Sequence, residues 1–244
     1  MEGPSLVLLK EELQPFVGKK IHKASGLARI DYDNLKGQKI RSFRSWGKHF
    51  LIVVGTVTIR IHFLMFGSYR INERKEASPR LQLEFSDGQE IGFYTTAVME
   101  LSGSLDDIYD WSADVMSDKW DAAKARRKLK KVPDLNVGDA LLDQRIFSGV
   151  GNIIKNEVLF RIRVHPESTI GALAPRKLTE LINQARIYSF DFYEWKKMYQ
   201  LKKHWLIHTK KKCPRCNIPS FKKYTGVKQR RSFFCNNCQV LYQA

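Results

Sequence analysis

The 244-residue sequence predicts an α+β protein: strands first, helices second, and a small metal-stapled hairpin last. Three observations carry this. The first hundred residues are dominated by short runs that alternate apolar and polar, the period of half-buried strands. Beyond about Ser104 the apolar positions recur at helical spacing and prolines punctuate the segments. The only four cysteines form two CxxC pairs near the end.

The opening segment, Leu6 to Phe16, reads as a helix that ends near Gly18. Ile40–Phe43 and Phe50–Val54 flank a turn at Ser45–Lys48, and Val57–Phe63 alternates as a strand. Leu81–Phe85 and Ile91–Tyr94, separated by Ser-Asp-Gly-Gln-Glu, read as a hairpin with a glycine-containing turn. Asp118–Lys131 has helical composition with an Arg/Lys-rich end, and Leu178, Leu181, Ile182 and Ala185 share one helical face. The segment Phe190 to Lys212 looks short and helical. The change of pattern between about Ser104 and Lys119 divides the chain into a sheet domain over 1–110, a helical domain over 111–205 and a finger over 206–244.

Cys213-Pro-Arg-Cys216 and Cys235-Asn-Asn-Cys238 are 18 residues apart. The spacing falls inside the range of about fifteen to twenty residues expected of a four-thiolate zinc site. Zinc held by four sulfurs is tetrahedral and saturated, so such a site builds structure and leaves no position open for chemistry. Two disulfides are the rival reading and need an oxidising compartment; Met1-Glu-Gly-Pro-Ser5 shows no secretory signal. Between the pairs, Phe221 to Phe234 holds two strand-like runs around Thr225-Gly226, basic and aromatic throughout.

Lys and Arg number 42 against 25 Asp and Glu, a net charge of +17. From Trp195 onward there is no acidic residue and there are 13 Lys or Arg, interleaved with Tyr199, Trp205, Tyr224 and Phe233. A block of this kind points to a polyanionic partner, nucleic acid above all. No segment reaches the roughly 18 apolar residues of a membrane span, so the expectation is a soluble intracellular monomer, cytoplasmic and nucleoid-associated if bacterial, with no membrane partner. Val137–Gln144 and Ile153–Phe160 read as helices around the turn Phe147-Ser-Gly-Val-Gly-Asn152. Asn152 is a good N-cap, and a glycine-led helix start with Lys155 one turn in suits a phosphate. On spacing alone the turn serves equally as the corner of a helical hairpin; the basic surroundings favour phosphate.

Taken in order, Glu2-Gly-Pro4, the Gly47-Lys48 turn, Gly149-Val-Gly-Asn152 and the four-cysteine finger resemble the Fpg/Nei family of DNA glycosylases with AP lyase activity, over nearly the whole chain. The resemblance implies an N-terminal β-sandwich, a helix-two-turn-helix and a structural zinc finger. It implies double-stranded DNA carrying oxidised bases or abasic sites as the partner, with the target nucleotide flipped out of the stack. It also implies an N-terminal amine that attacks the sugar and forms a Schiff base.

Position by position, the resemblance gives Glu2 the role of catalytic carboxylate and Lys48 that of a phosphate contact assisting proton transfer. Met65, flanked by Leu64 and Phe66, fills the gap left by the flipped base. Gly151, Asn152 and Lys155 bind phosphate. Arg230 clamps phosphates around the lesion and assists the second elimination, with Arg231 as the neighbour that substitutes for it. One departure is that family members usually carry Met-Pro-Glu, whereas here Glu2 follows Met1 directly. The Met1 amine then takes the place of the proline amine, with activity reduced or altered. The alternative is a protein that binds lesions or abasic sites without cutting. Glu-Gly-Pro and the short Phe190–Lys212 segment resemble the Nei branch and favour oxidised pyrimidines; Ser5 departs from the acidic residue common there.

Overall fold

Two four-stranded antiparallel sheets and an N-terminal helix bury one apolar core in the first half of the chain. The computed structural model describes residues 1–243. By packing, the chain divides into one unit of Met1 and Ser5–Tyr109 and a second of Glu2–Pro4 and Asp110 onward. The elements of the first unit are helix α1 (Gly3–Glu12), strands β1 (Ile21–Ser25), β2 (Ile40–Trp46), β3 (His49–Val54), β4 (Val57–His62), β5 (Ser68–Ile71), β6 (Leu81–Phe85), β7 (Glu90–Tyr94) and β8 (Ala97–Leu101), and the single turn α2 (Leu105–Ile108).

One sheet has the order β1-β6-β7-β5 and the other β2-β3-β4-β8. The inward positions of both, among them Leu83, Phe85 and Phe93 from the first and Phe50, Ile52, Ile59 and Ile61 from the second, join Leu6, Leu9 and Leu13 of α1 in a single buried cluster. The Phe50 and Phe93 rings, one from each sheet, lie 6.3 Å apart. This is a β-sandwich closed by a helix. α1 stops earlier than the periodicity predicts: Pro15 opens a separate 3-10 turn over Gln14–Phe16, because a proline inside the helix would remove one of its ladder bonds.

The second unit contains α3 (Ala122–Lys130), α4 (Val137–Leu141), α5 (Asn152–Arg161), α6 (Pro175–Lys197) and the hairpin β9 (Phe221–Thr225) and β10 (Arg230–Phe234). Leu178, Leu181, Ile182 and Ala185 of α6 are buried against Val150, Ile154 and Val158 around α5, so the helical face read from the sequence is the face that packs. α4 ends at Leu141, short of Gln144, where the Asp143 carboxylate accepts the Arg145 N–H at 2.9 Å and turns the chain. Beyond α6 only a 3-10 turn, Leu201–His204, is regular before the hairpin.

The hairpin is fastened to α5 at both ends of that helix. Toward the C-terminal end, Arg215 donates to the Phe160 carbonyl at 2.7 Å and stacks over the Phe160 ring at 3.9 Å. Buried Glu157 accepts the N–H groups of Leu206, Ile207 and His208 at 2.9, 2.9 and 2.7 Å. A second small core of Phe160, Ile207, Cys213, Phe233 and Cys235 fills the space beneath.

Candidate nucleic-acid interface and catalytic site

In the first unit, β2 and β3 are joined by a two-residue turn, Gly47-Lys48, with Gly47 at φ +54°. After β4 the chain makes one tight loop. Gly67 N–H bonds the Phe63 carbonyl at 2.8 Å, and a Cβ on Gly67 would sit 2.0 Å from that oxygen, so only glycine fits. The loop throws Leu64 (φ +50°), Met65 and Phe66 outward, leaving them 52%, 71% and 79% exposed. Three large apolar side chains in water are unfavourable unless something covers them.

Two polar groups hold the base of this loop. The Leu64 N–H donates to Nδ1 of His62 at 3.2 Å, and the Met1 amine lies 3.5 Å from the Leu64 carbonyl. His62 is held below its ordinary pKa by burial first, and then by the charges of the Met1 amine, Lys48 and Arg60. Burial and the Met1, Lys48 and Arg60 charges thus all disfavour the protonated form of the one imidazole at the base of the exposed loop. Sequence reasoning passed over His62, which as the last residue of an alternating strand carries no local signal.

In the second unit the decisive group is Glu2. Its carboxylate accepts the N–H of Gly151 at 3.2 Å, of Ile153 at 2.7 Å and of Ile154 at 3.3 Å. Gly3 N–H donates to the Gly149 carbonyl at 2.9 Å. The orphan amides that begin α5 are thus satisfied by a carboxylate 149 residues away, which the positive end of the helix favours. This corrects two expectations. Asn152 is not the N-cap: Gly151 is, without a capping side chain of its own. The glycine-led helix start does bind an anion, but the anion is Glu2. Gly151 is needed for space, since a Cβ there would lie 2.3 Å from the Glu2 carboxyl carbon; Gly149 is the residue that needs positive φ, at +98°.

Freed from capping, Asn152 donates from Nδ2 to the Arg231 carbonyl at 2.9 Å. Lys155, expected as a phosphate contact, is instead 1% exposed, with Nζ 2.7 Å from Ser232 Oγ. Burial first, and then the Arg230 charge, bring it down to about 8 against the opposing pull of Asp139 and Glu2. Arg230 stands opposite Thr225 in the hairpin and is exposed. By strand alternation it shares a face with Ser232, the face toward α5. Arg231 lies on the other face, donating to the Tyr224 hydroxyl at 3.0 Å. Glu2, Gly151, Asn152, Lys155 and Arg230 are therefore gathered around the start of α5, and Arg231 is turned away. Asp139, which sequence reasoning missed, is buried and accepts the Val227 N–H at 2.6 Å and the Lys228 N–H at 3.4 Å at the tip of the hairpin.

Cys213, Cys216, Cys235 and Cys238 are all free thiols, with ligand atoms within 4.8 Å of one another. Sγ of Cys213 and Cys238 are 3.7 Å apart. That is close to the edge of about 3.8 Å of a tetrahedron with metal–sulfur bonds of about 2.3 Å. Burial and then the neighbouring thiols push Cys238 up to about 12, a crowding that a divalent cation would relieve by replacing the protons. The donor set fits one tetrahedral metal ion.

Two family models match: the formamidopyrimidine-DNA glycosylase N-terminal domain over residues 2–96 and the formamidopyrimidine-DNA glycosylase H2TH domain over residues 112–187. Among relatives, endonuclease 8-like 3 of Mus musculus is 33% identical over 203 residues, 79% of this chain and 33% of that protein. Endonuclease 8-like 2 of Bos taurus is 31% identical over 195 residues, 74% of this chain and 58% of that protein. The chain thus spans about a third of the length of the endonuclease 8-like 3 proteins it matches. Among solved structures, a viral DNA glycosylase superposes with TM-score 0.85 at 19% identity, over 98% of this chain and 100% of the other. A Lactococcus lactis formamidopyrimidine-DNA glycosylase bound to DNA containing an AP site gives 0.84 at 22%, over 98% and 99%. Sandwich, helix-two-turn-helix and four-cysteine hairpin together make up a fold shared with these solved DNA glycosylases. The chain belongs to the Fpg/Nei family.

Proposed function

We propose that this protein is a DNA glycosylase with AP lyase activity, acting on oxidised bases, pyrimidines foremost, and on abasic sites in double-stranded DNA. The observation that carries the reading is the Glu2 carboxylate, fixed by three backbone N–H groups of α5 immediately next in sequence to an α-amine. Support comes from the family, from relatives named as endonucleases, and from neighbours solved with AP-site and oxidised-pyrimidine DNA.

In this reading the amine preceding Glu2, which in the sequence given is that of Met1, is the nucleophile. An α-amine with a reference pKa of about 7.7–8.0 is partly neutral at pH 7, unlike an ordinary lysine. Its nitrogen bonds to C1′ as the glycosidic bond breaks, and the bonding pair leaves with the base, which takes up a proton. Glu2 takes up the proton that the attacking amine loses and passes it to the sugar ring oxygen as the ring opens, leaving the C1′ iminium and the carboxylate restored. Loss of a C2′ proton then expels the 3′ phosphate, and a further elimination expels the 5′ phosphate. Lys48, Asn152 and Arg230 hold the phosphates around the lesion, and Leu64, Met65 and Phe66 fill the space left in the stack. Cys213, Cys216, Cys235 and Cys238 hold zinc, which when bound ties the hairpin together and takes no part in the reaction.

Borohydride reduction in the presence of abasic-site DNA tests the assignment. The expected result is one covalent adduct, mapped to Met1, and loss of strand cleavage in Glu2→Gln. An adduct at Lys48 moves the nucleophile there. Tight abasic-DNA binding with no adduct at any residue removes the lyase and leaves lesion recognition alone.

A further inference from the structure

Lys155 lies where a solvent-facing phosphate contact was expected, yet it is sealed inside the second unit at 1% exposure. A methionine would fill the same space without the cost of desolvating an ammonium. The cost is met by specific partners. Nζ donates to Ser232 Oγ at 2.7 Å and to the Arg231 carbonyl at 3.4 Å. Ser232 Oγ is in turn 2.6 Å from Thr225 Oγ1, the buried residue across the hairpin. The ammonium thus holds β10 at the Arg231 carbonyl and the Ser232 hydroxyl and reaches β9 through the two hydroxyls. Arg230 is the residue immediately before these contacts on β10, paired with Thr225. At the tip of the same hairpin, buried Asp139 fixes the next turn through two backbone N–H groups. Gly226 leaves room for it, since a Cβ there would come within 2.3 Å of the carboxylate.

We propose that Lys155 is a positioning residue: held by α5, it sets the register of β10 through Ser232 so that the Arg230 guanidinium is presented to the DNA backbone beside the α5 N-terminus. This rests on the DNA reading above and assigns Lys155 no contact with DNA itself. A register slip of one residue would exchange the faces of Arg230 and Arg231. An apolar side chain at position 155 would fill the space without opposing that slip.

The test is a double-mutant cycle on the affinity for a duplex carrying one tetrahydrofuran abasic analogue, measured across a salt series. Arg230→Ala is expected to weaken binding ~5–10-fold and to lower the salt slope by about one phosphate contact. Lys155→Met should reproduce both changes to within about twofold, and the double variant should bind no more weakly than either single one. Ser232→Ala, a smaller change that keeps the fold if Lys155→Met does not, should show a partial loss that vanishes in the Arg230→Ala background. Metal content and thermal unfolding recorded beside each variant separate loss of folding from loss of placement. Losses that multiply in the double variants, or a Lys155→Met protein with wild-type salt slope, overturn the proposal and leave the DNA reading intact. A wild-type protein with no salt-dependent DNA affinity overturns both.

Discussion

Removing the Glu2 carboxylate is expected to destabilise the protein, whereas deleting a carboxylate that serves chemistry alone commonly leaves stability unchanged or improves it. Glu2 accepts three N–H groups at 3.2, 2.7 and 3.3 Å at the positive end of a ten-residue helix. In Glu2→Gln one carboxylate oxygen becomes an NH2 that faces donors it cannot accept from. Hydrogen bonds to a charged group contribute about 1.5–3 kcal/mol, and the charge at the helix start roughly 0.3–1 kcal/mol. Because Glu2 is only half-buried, a net loss of about 1–2 kcal/mol is the reasonable expectation after solvent screening. At roughly 2–4 °C per kcal/mol for a domain of this size, Tm falls by about 2–8 °C. Gly151→Ala provides an independent route to the same loss. The backbone there, φ −118° and ψ −165°, suits alanine, so the only obstruction is the Glu2 carboxyl 2.3 Å from the new Cβ. That group is the end of a flexible side chain and would be displaced. Gly151→Ala should therefore cost about as much as Glu2→Gln, and the double variant about as much as either. Scanning calorimetry of the three variants checks this. A Glu2→Gln protein that melts with wild type, or two losses that simply add, would refute the capping role.

Three further outcomes follow from the same structure. Replacing Phe66 and Met65 by Ala should leave unfolding within about 0.5 kcal/mol of wild type, because both are exposed, while weakening binding to abasic-analogue DNA severalfold; filter binding reads the second effect and urea titration the first. Chelation, or Cys235→Ser, should release one metal equivalent and abolish most DNA affinity, since Cys213 and Cys235 are two of the five buried residues of the small core that seats the hairpin; full affinity in metal-free protein would contradict this. Stability should fall as pH drops from 6.5 toward 4. His49 and His208 are held down to about 4, by burial first, so over that window the unfolded chain binds more protons than the folded one. Each contributes up to about 3 kcal/mol before solvent screening, and His208→Gln should flatten the acid limb of a Tm-against-pH curve.

What was legible in the sequence was what neighbouring residues encode together. β4 and β6 alternate because both lie inside their sheets and bury a full face, and they were read nearly to the residue. β1, β5 and β8 were not read at all. All three are edge strands with mostly half-exposed or exposed side chains, so their pairing depends on partners tens of residues away. The four thiols were found because the CxxC spacing is local. Lys155 and Asp139 were misjudged or missed because what makes each special lies at β10 or beside Gly226, 76 to 89 residues on. In a basic segment, a buried lysine and an exposed one read the same.

The placement of charge around α5 explains why so small a hairpin needs so many buried polar groups. A hairpin of two five-residue strands buries too little apolar surface to fix its own orientation. Hydrophobic contact alone would let it slide, because apolar burial has no direction. Glu157 and Lys155 on α5, with Asp139 on α4, each take hold of backbone or hydroxyl groups of the finger or the segment leading into it. An ionised group that loses its partner in a buried setting costs several kcal/mol, so each contact penalises any displacement of the finger steeply. The metal closes the finger on itself, and the three charges fix it to the helices. In the reading proposed above, Arg230 on this hairpin would be held in place by side chains that do not themselves touch DNA. Variants of those buried residues should therefore alter DNA affinity through Arg230 well before they alter the melting of the sandwich.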